Sequence, residues 1–256
     1  MKIKKFSICT DAVFRGKDVL EAVEGVKAAG FDAIEFWRSS NKDLPALKAK
    51  ADALGVKCVS FSSKNKPSNL TNPGEHNLFI EGLKETINFA KIMGNKCLVA
   101  TSGDDTGARR DFQHNAIIKV LKTAVPVLVE NNMTLLLEPL NNRVDHPGNY
   151  LETSEEGFAI LDKVCSPNVK LLFDIYHMQI SEGDVVRRMV PRVRQIGHIH
   201  TAGSTGRNEL DLGELDYIKV LNALADAGYD GYVGFEYFPV SDSLAGLKRM
   251  YSYLHG

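Results

Sequence analysis

Four residues spaced 36, 26 and 36 positions apart hold the chemistry this chain offers: Glu138, Asp174, His200 and Glu236. Each sits at or near the end of an apolar run. Glu138 interrupts Leu135–Asn141, Asp174 interrupts Leu171–His177, His200 lies in Gly197–Thr201, and Glu236 lies in Val233–Tyr237. A charged group inside such a run is costly unless it is paired, hydrogen-bonded or metal-bound. One of them alone is most simply a structural ion pair. Four at the ends of successive runs point instead to a shared divalent cation. Three carboxylates and one imidazole favour Mn²⁺ or Mg²⁺, and Co²⁺ or Zn²⁺ fit the same set. Four protein ligands leave two octahedral positions for adjacent substrate oxygens, a hydroxyl and its neighbouring carbonyl. Such chelation acidifies the intervening C–H bond and stabilises an enediolate, a Lewis-acid effect worth several kcal/mol. Glu138 and Glu236 are then the proton-transferring pair, a contribution of about 10²–10⁴-fold.

Other residues are candidates for binding substrate. His177, three positions beyond Asp174, is placed to hydrogen-bond a substrate oxygen. Arg207, in the glycine-containing stretch Gly203–Glu209, offers a fork donor for a carboxylate or hydroxyl. Lys64 and Trp37, at earlier run ends, are expected to line the pocket. His198, two positions before His200, is expected to face the other way and pack in the core.

These residues need a scaffold that brings run ends together. One unit recurs along the chain: an amphipathic segment, a glycine, then a short apolar run, as at Gly30, Gly55, Gly94 and Gly228. Glycine there supplies the left-handed conformation that ends a helix. The helical period is clear in Ile80, Leu83, Ile87 and Ala90, and Thr153 with Glu156 forms a capping box. Pro126 is expected to kink or break a helix over 116–130. Eight apolar runs follow: 6–10, 33–37, 58–62, 97–101, 135–140, 171–176, 196–201 and 233–238. Most read as fully buried parallel strands. Eight strand-helix units in 256 residues predict a single α/β domain over 1–256, a (β/α)8 TIM barrel. A doubly wound sheet is the competing arrangement. In a barrel, residues at the carboxyl ends of strands face the active site, where the four candidate ligands fall.

Composition narrows the partners. The chain has 31 Lys+Arg against 32 Asp+Glu, a net charge of −1, which disfavours nucleic acid or a polybasic membrane surface as partner. No apolar run is long enough to span a bilayer, and no signal peptide is read at the amino terminus. The four cysteines are scattered and are expected to be buried, reduced thiols. These bounds predict a soluble, cytoplasmic protein with a small-molecule substrate, and leave a homo-oligomer open.

Several motifs are shared with a known family. Glu138-Pro-Leu-Asn141 followed by 144–148, Phe173–Gln179, Ile196–His200 and Gly231–Tyr237 resemble the hydroxypyruvate isomerase family, within the xylose isomerase-like TIM barrels that also include the ketose 3-epimerases. The resemblance spans essentially the whole chain. It implies a divalent metal on Glu138, Asp174, His200 and Glu236, proton transfer by the two glutamates, and substrate contacts from His177 and Arg207. His200 stands where hydroxypyruvate isomerases carry Gln, and in this it looks more like the epimerases. The leading expectation is metal-dependent isomerisation of a small hydroxy-carbonyl compound, with hydroxypyruvate to tartronate semialdehyde as the named instance. The alternatives are a ketose 3-epimerase of the D-tagatose/D-psicose type, a metal-free glycoside hydrolase using the two glutamates, a non-catalytic sugar-acid binding barrel and, last, an endonuclease of the same superfamily, which would want more strand-end histidines and a basic groove.

Overall fold

The computed structural model describes residues 1–63 and 68–255, so Lys64 lies outside the described residues. Eight strands close into a barrel: β1 (Phe6–Cys9), β2 (Ala33–Phe36), β3 (Lys57–Ser62), β4 (Cys97–Thr101), β5 (Thr134–Glu138), β6 (Val169–Asp174), β7 (Ile196–Thr201) and β8 (Val233–Phe235). Every strand pairs in parallel with its neighbour in sequence, and β8 closes onto β1. The expected barrel is therefore the observed one, and no doubly wound sheet forms. Strands such as β1, β2 and β8 are buried along their whole length, because the interior packs one face and the surrounding helices cover the other.

The helices show why this sequence folds locally as it does. Helices Leu44–Leu54 and His76–Met93 end at Gly55 and Gly94, with φ of 65° and 77°. An L side chain there would be strained. Helix Ser154–Val164 starts at Thr153, whose hydroxyl accepts from the Glu156 N–H, as the capping box predicts.

Two expectations are corrected. Helix Arg110–Glu130 runs unbroken through Pro126. Pro126 sits in its last turns on the exposed side, as does Lys122, whose carbonyl loses its donor. Cys165 is exposed rather than buried, at the left-handed end of helix Ser154–Val164. Among the described residues, no helix is long and apolar enough to cross a membrane.

Strand register sets the height of each side chain in the barrel. Asp174 pairs with His200, His200 with Gly234, and Thr101 with Glu138. The expected strand ends shorten at three of these positions, and β5 stops at Glu138. β6 stops at Asp174 because its carboxylate caps the next helix, Ile175–Ser181, and β8 stops at Phe235, one residue before Glu236.

Candidate active and metal site

Glu138 and Asp174 are the last residues of β5 and β6, His200 is next to last in β7, and Glu236 follows β8 directly. All four are buried at the carboxyl mouth of the barrel. Glu138, Asp174, Glu236 and His177 each offer a ligand atom, and these atoms lie within 4.8 Å of one another. His200 turns its Nδ1 toward the same cluster, 3.3 Å from Glu138 Oε1 and 3.7 Å from Glu236 Oε2. The structure thus gathers three of the predicted ligands with His177, and sets His200 beside them in a second group with Glu35 and His198.

His177 owes its place to Asp174. Asp174 Oδ1 accepts from the N–H groups of Tyr176 (2.8 Å) and His177 (3.3 Å), which starts the helix and folds the imidazole back over the carboxylates. Asn141 then decides its tautomer. Asn141 Oδ1 accepts from the N–H groups of Val144 and Asp145, so its Nδ2 faces His177 Nδ1 at 2.6 Å. Nδ1 is therefore the acceptor, and the neutral ring carries its proton on Nε2, 3.5 Å from Asp174 Oδ2. Burial, reinforced by Arg207 and His146, pushes the His177 pKa well down and keeps the ring neutral. It stands as a hydrogen-bond donor facing the cluster.

Glu236 is held from both sides. Trp37 Nε1 donates to its Oε1 at 2.6 Å, and Arg207 Nη2 donates to its Oε2. Arg207 adopts a left-handed backbone (φ 56°) after Thr205 (φ 79°) and Gly206 (φ 102°). Non-glycine residues occupy this region at a cost, so surrounding contacts must hold the turn. The Arg207 guanidinium lies 5.3 Å from the Tyr176 ring centroid and 5.5 Å from that of Phe238, with Asp145 Oδ1 3.5 Å away. Tyr176 in turn donates to Asp145 Oδ2 at 3.0 Å.

Several buried atoms at the centre lack a hydrogen-bond partner among the described residues: Glu138 Oε1, His200 Nδ1 and His177 Nε2. Buried polar atoms are costly when left unpaired. The first two are a carboxylate oxygen and an imidazole nitrogen facing each other, a donor set suited to a hard or borderline divalent cation. The electrostatics agree. Burial raises the Asp174 carboxyl to about 7, with Glu236 and Glu138 adding to the rise and His200 opposing it. Burial alone would lower the pKa of His200, but Glu35 and Glu236 outweigh it and raise it well above the ordinary value. The residues fit a cation.

Sequence reasoning missed Glu35, Asn141, Asp145 and His146, and it misplaced His198. Residues two apart on a strand share a face, so His198 points inward with His200, their ring centroids 5.0 Å apart. Its Nε2 lies 2.8 Å from Glu35 Oε2. Glu35 carried the same signal as the four ligands, a lone carboxylate in an apolar run, but in the second strand. Trp37 does line the pocket, together with Arg38, Ser39 and Phe238.

Fold and site together define an enzyme on a parallel eight-stranded barrel, and the chain belongs to the xylose isomerase-like TIM barrel family, whose model matches residues 23–253. It is an isomerase by its relatives. It is 30% identical to the 2-oxo-tetronate isomerase of Cupriavidus necator over 98% of both chains. It is 29% identical to the hydroxypyruvate isomerase of Escherichia coli (strain K12), over 97% of this chain and 99% of that one. Among solved structures, a family 2 AP endonuclease from Brucella melitensis superposes with a TM-score of 0.91 at 26% identity, covering 98% and 99% of the two chains. An L-ribulose 3-epimerase shares the fold, with a TM-score of 0.84 at 22% identity over 99% and 94%.

Replacing Asn141 with Ala strips the acceptor from two backbone N–H groups and the donor from His177. The expected loss is about 1–3 kcal/mol of folding stability, read as a lower urea midpoint with an unchanged slope.

Proposed function

We propose that this chain is a divalent-metal-dependent isomerase of small hydroxy-carbonyl acids that works through an enediolate, with hydroxypyruvate to tartronate semialdehyde as its reaction. The observation that carries this reading is the buried cluster of Glu138, Asp174 and Glu236, with His200 Nδ1 3.3 Å from Glu138 Oε1 and 3.7 Å from Glu236 Oε2, and with Glu138 Oε1 and His200 Nδ1 making no hydrogen bond of good geometry. Similarity to a hydroxypyruvate isomerase and a 2-oxo-tetronate isomerase over nearly the full chain supports the substrate class.

Glu138, Asp174, His200 and Glu236 would hold the cation. When bound, it supplies Lewis-acid polarisation of the substrate carbonyl, worth several kcal/mol. The protein's own groups do the rest. One glutamate takes the proton from the hydroxymethyl carbon, and the electron pair moves into the enediolate. A proton returned to the former carbonyl carbon, with the hydroxyl proton passing to the other oxygen, leaves an aldehyde beside a secondary alcohol. Glu236 is fixed by Trp37 and Arg207, whereas Glu138 Oε1 faces only His200 Nδ1, at 3.3 Å, among the described residues. His177 Nε2–H is a donor for a substrate oxygen. Arg38, Ser39 and Ser40 line the opposite wall of the cavity and offer donors to a carboxylate.

A ketose 3-epimerase is the second reading. The cavity, about 810 Å³, has room for a sugar larger than a three-carbon acid. Incubating the metal-loaded enzyme with hydroxypyruvate, 2-oxo-tetronate and a ketohexose in deuterated water separates the two. Deuterium at C2 of tartronate semialdehyde is expected; a C3-epimerised ketohexose alone selects the epimerase, and inertness toward all three rejects both. Glu138→Gln and Glu236→Gln are each expected to lower turnover by about 10²–10⁴-fold while remaining folded.

Metal uptake is expected to strengthen from pH 6 to pH 8. Asp174 is raised to about 7 and His200 is raised as well, so both carry protons that a cation must displace. Calorimetric titration with Mn²⁺ in two buffers of different ionisation enthalpy should report proton release that shrinks as the pH rises. An affinity independent of pH contradicts this.

A further inference from the structure

Beneath the proposed ligand set lies a carboxylate that the reaction does not use. Glu35, on β2, is 2% exposed and projects into the barrel interior. Its Oε2 accepts from Ser60 Oγ at 3.0 Å and meets His198 Nε2 at 2.8 Å. Its Oε1 lies 3.3 Å from His200 Nε2 and has no hydrogen-bond partner among the described residues. His200 is thus placed between two sets of acids, with Nε2 toward Glu35 and Nδ1 toward Glu138 and Glu236.

That placement has a chemical consequence. An imidazole that ligates a cation through Nδ1 must be neutral and must carry its proton on Nε2. The acceptor on that nitrogen orients the ring and makes it a better ligand. A second feature of the fold protects the pair. Gly234, level with His200 in the β7–β8 register, makes the space: a Cβ there would fall 2.0 Å from Glu35 Oε1 and 2.8 Å from His200 Cδ2. Stability gives no comparable reason for the carboxylate, since a buried ion pair is often matched or bettered by apolar side chains of similar volume.

We infer that Glu35 is a positioning residue, which holds His200 with Nε2–H toward itself and Nδ1 toward Glu138 and Glu236. His198 and Ser60 anchor Glu35 through its other oxygen. This rests on the metal reading above, and it adds a residue from the opposite side of the barrel to the four strand-end ligands.

The test is calorimetric titration of Mn²⁺ into chelator-stripped protein, wild type against Glu35→Gln, with thermal melting of the metal-free forms alongside. Wild type should bind one ion, and Glu35→Gln should bind it about 10- to 100-fold more weakly. The Co²⁺-loaded variant should also show a changed visible absorption spectrum. A merely structural role would lower the melting temperature and leave the Mn²⁺ affinity and the Co²⁺ spectrum unchanged, which overturns the inference. If Glu35→Gln does not fold, Glu35→Asp keeps the charge but withdraws it by one methylene. It should bind about threefold to tenfold more weakly, and wild-type affinity in it overturns the inference. A wild type that takes up no ion overturns the metal reading and this inference together.

Discussion

Crowding of negative charge at the mouth of the barrel is the constraint to which the rest of the site responds. Glu138, Asp174 and Glu236 present oxygens within 4.8 Å of one another, and Glu35 lies just below them on the other side of His200. Two carboxylates 4 Å apart repel by about 4 kcal/mol at an effective dielectric constant near 20. Among the described residues Arg207 is the permanent cation in contact with the cluster, and it is bound to Glu236 and Asp145. Protons relieve part of the remaining charge: burial, with Glu236 and Glu138 adding to it and His200 opposing, raises Asp174 to about 7, and Glu35 and Glu236 raise His200 against its own burial. A divalent cation at the same point would replace those protons with a charge that does not leave. It would also give Glu138 Oε1 and His200 Nδ1 the partner that the described residues do not supply.

Holding like charges together requires a scaffold that cannot relax, and the parallel barrel is one. β5 to β8 end at nearly the same height, so their terminal side chains meet without a long loop. Asp174 serves three purposes there: it ends β6, caps the next helix with Oδ1, and turns its other oxygen toward the cluster. The same cap throws His177 back over the site, where Asn141 sets its tautomer. Arg207 is delivered by a left-handed turn and clasped between Tyr176 and Phe238. Backbone strain at that turn is offset by the guanidinium's contacts with Glu236 and Asp145.

Much of this was legible in the sequence because it rests on local pattern. Buried strands appear as apolar runs, and a carboxylate at the end of such a run stands out, so the eight strands and the four candidate ligands could be named. What escaped depends on geometry between strands. Glu35 carries the same signal as Glu138, but its importance appears only when β2 and β7 face each other across the barrel. His198 was misplaced by an error of period, since residues two apart on a strand share a face. Pro126 is tolerated because its helix is near its end and Lys122, whose carbonyl loses its donor, lies on the exposed side, neither of which a residue type reveals. Asp145 and His146 lie in a loop whose path is set by hydrogen bonds that the Val144 and Asp145 N–H groups donate to Asn141 Oδ1, with no periodicity to betray it.

The division of labour between strands and loops bears on how isomerase and epimerase chemistry can share one barrel. Both reactions remove a proton beside a carbonyl and pass through an enediolate; an isomerase returns the proton to the former carbonyl carbon, whereas an epimerase returns it to the same carbon from the opposite face. Glu138 ends β5 and Glu236 follows β8, and Glu236 is locked by Trp37 and Arg207, so Glu236 in particular cannot follow a differently placed carbon. The substrate must be shifted instead, and that shift is controlled by what lines the far wall of the cavity. Here the wall is Arg38, Ser39 and Ser40 after β2, with Asp145, His146 and Phe238 around the rim. A cationic, hydroxyl-rich wall favours a carboxylate end, which would set the adjacent carbonyl and hydroxyl carbons between the glutamates. A neutral sugar would gain little from Arg38, and would need a different wall to bring its third carbon to the same place. On the proposed reaction, substrate choice in this chain is therefore expected to lie in the short segments after β2 and β5, with proton transfer left to the strand-end glutamates.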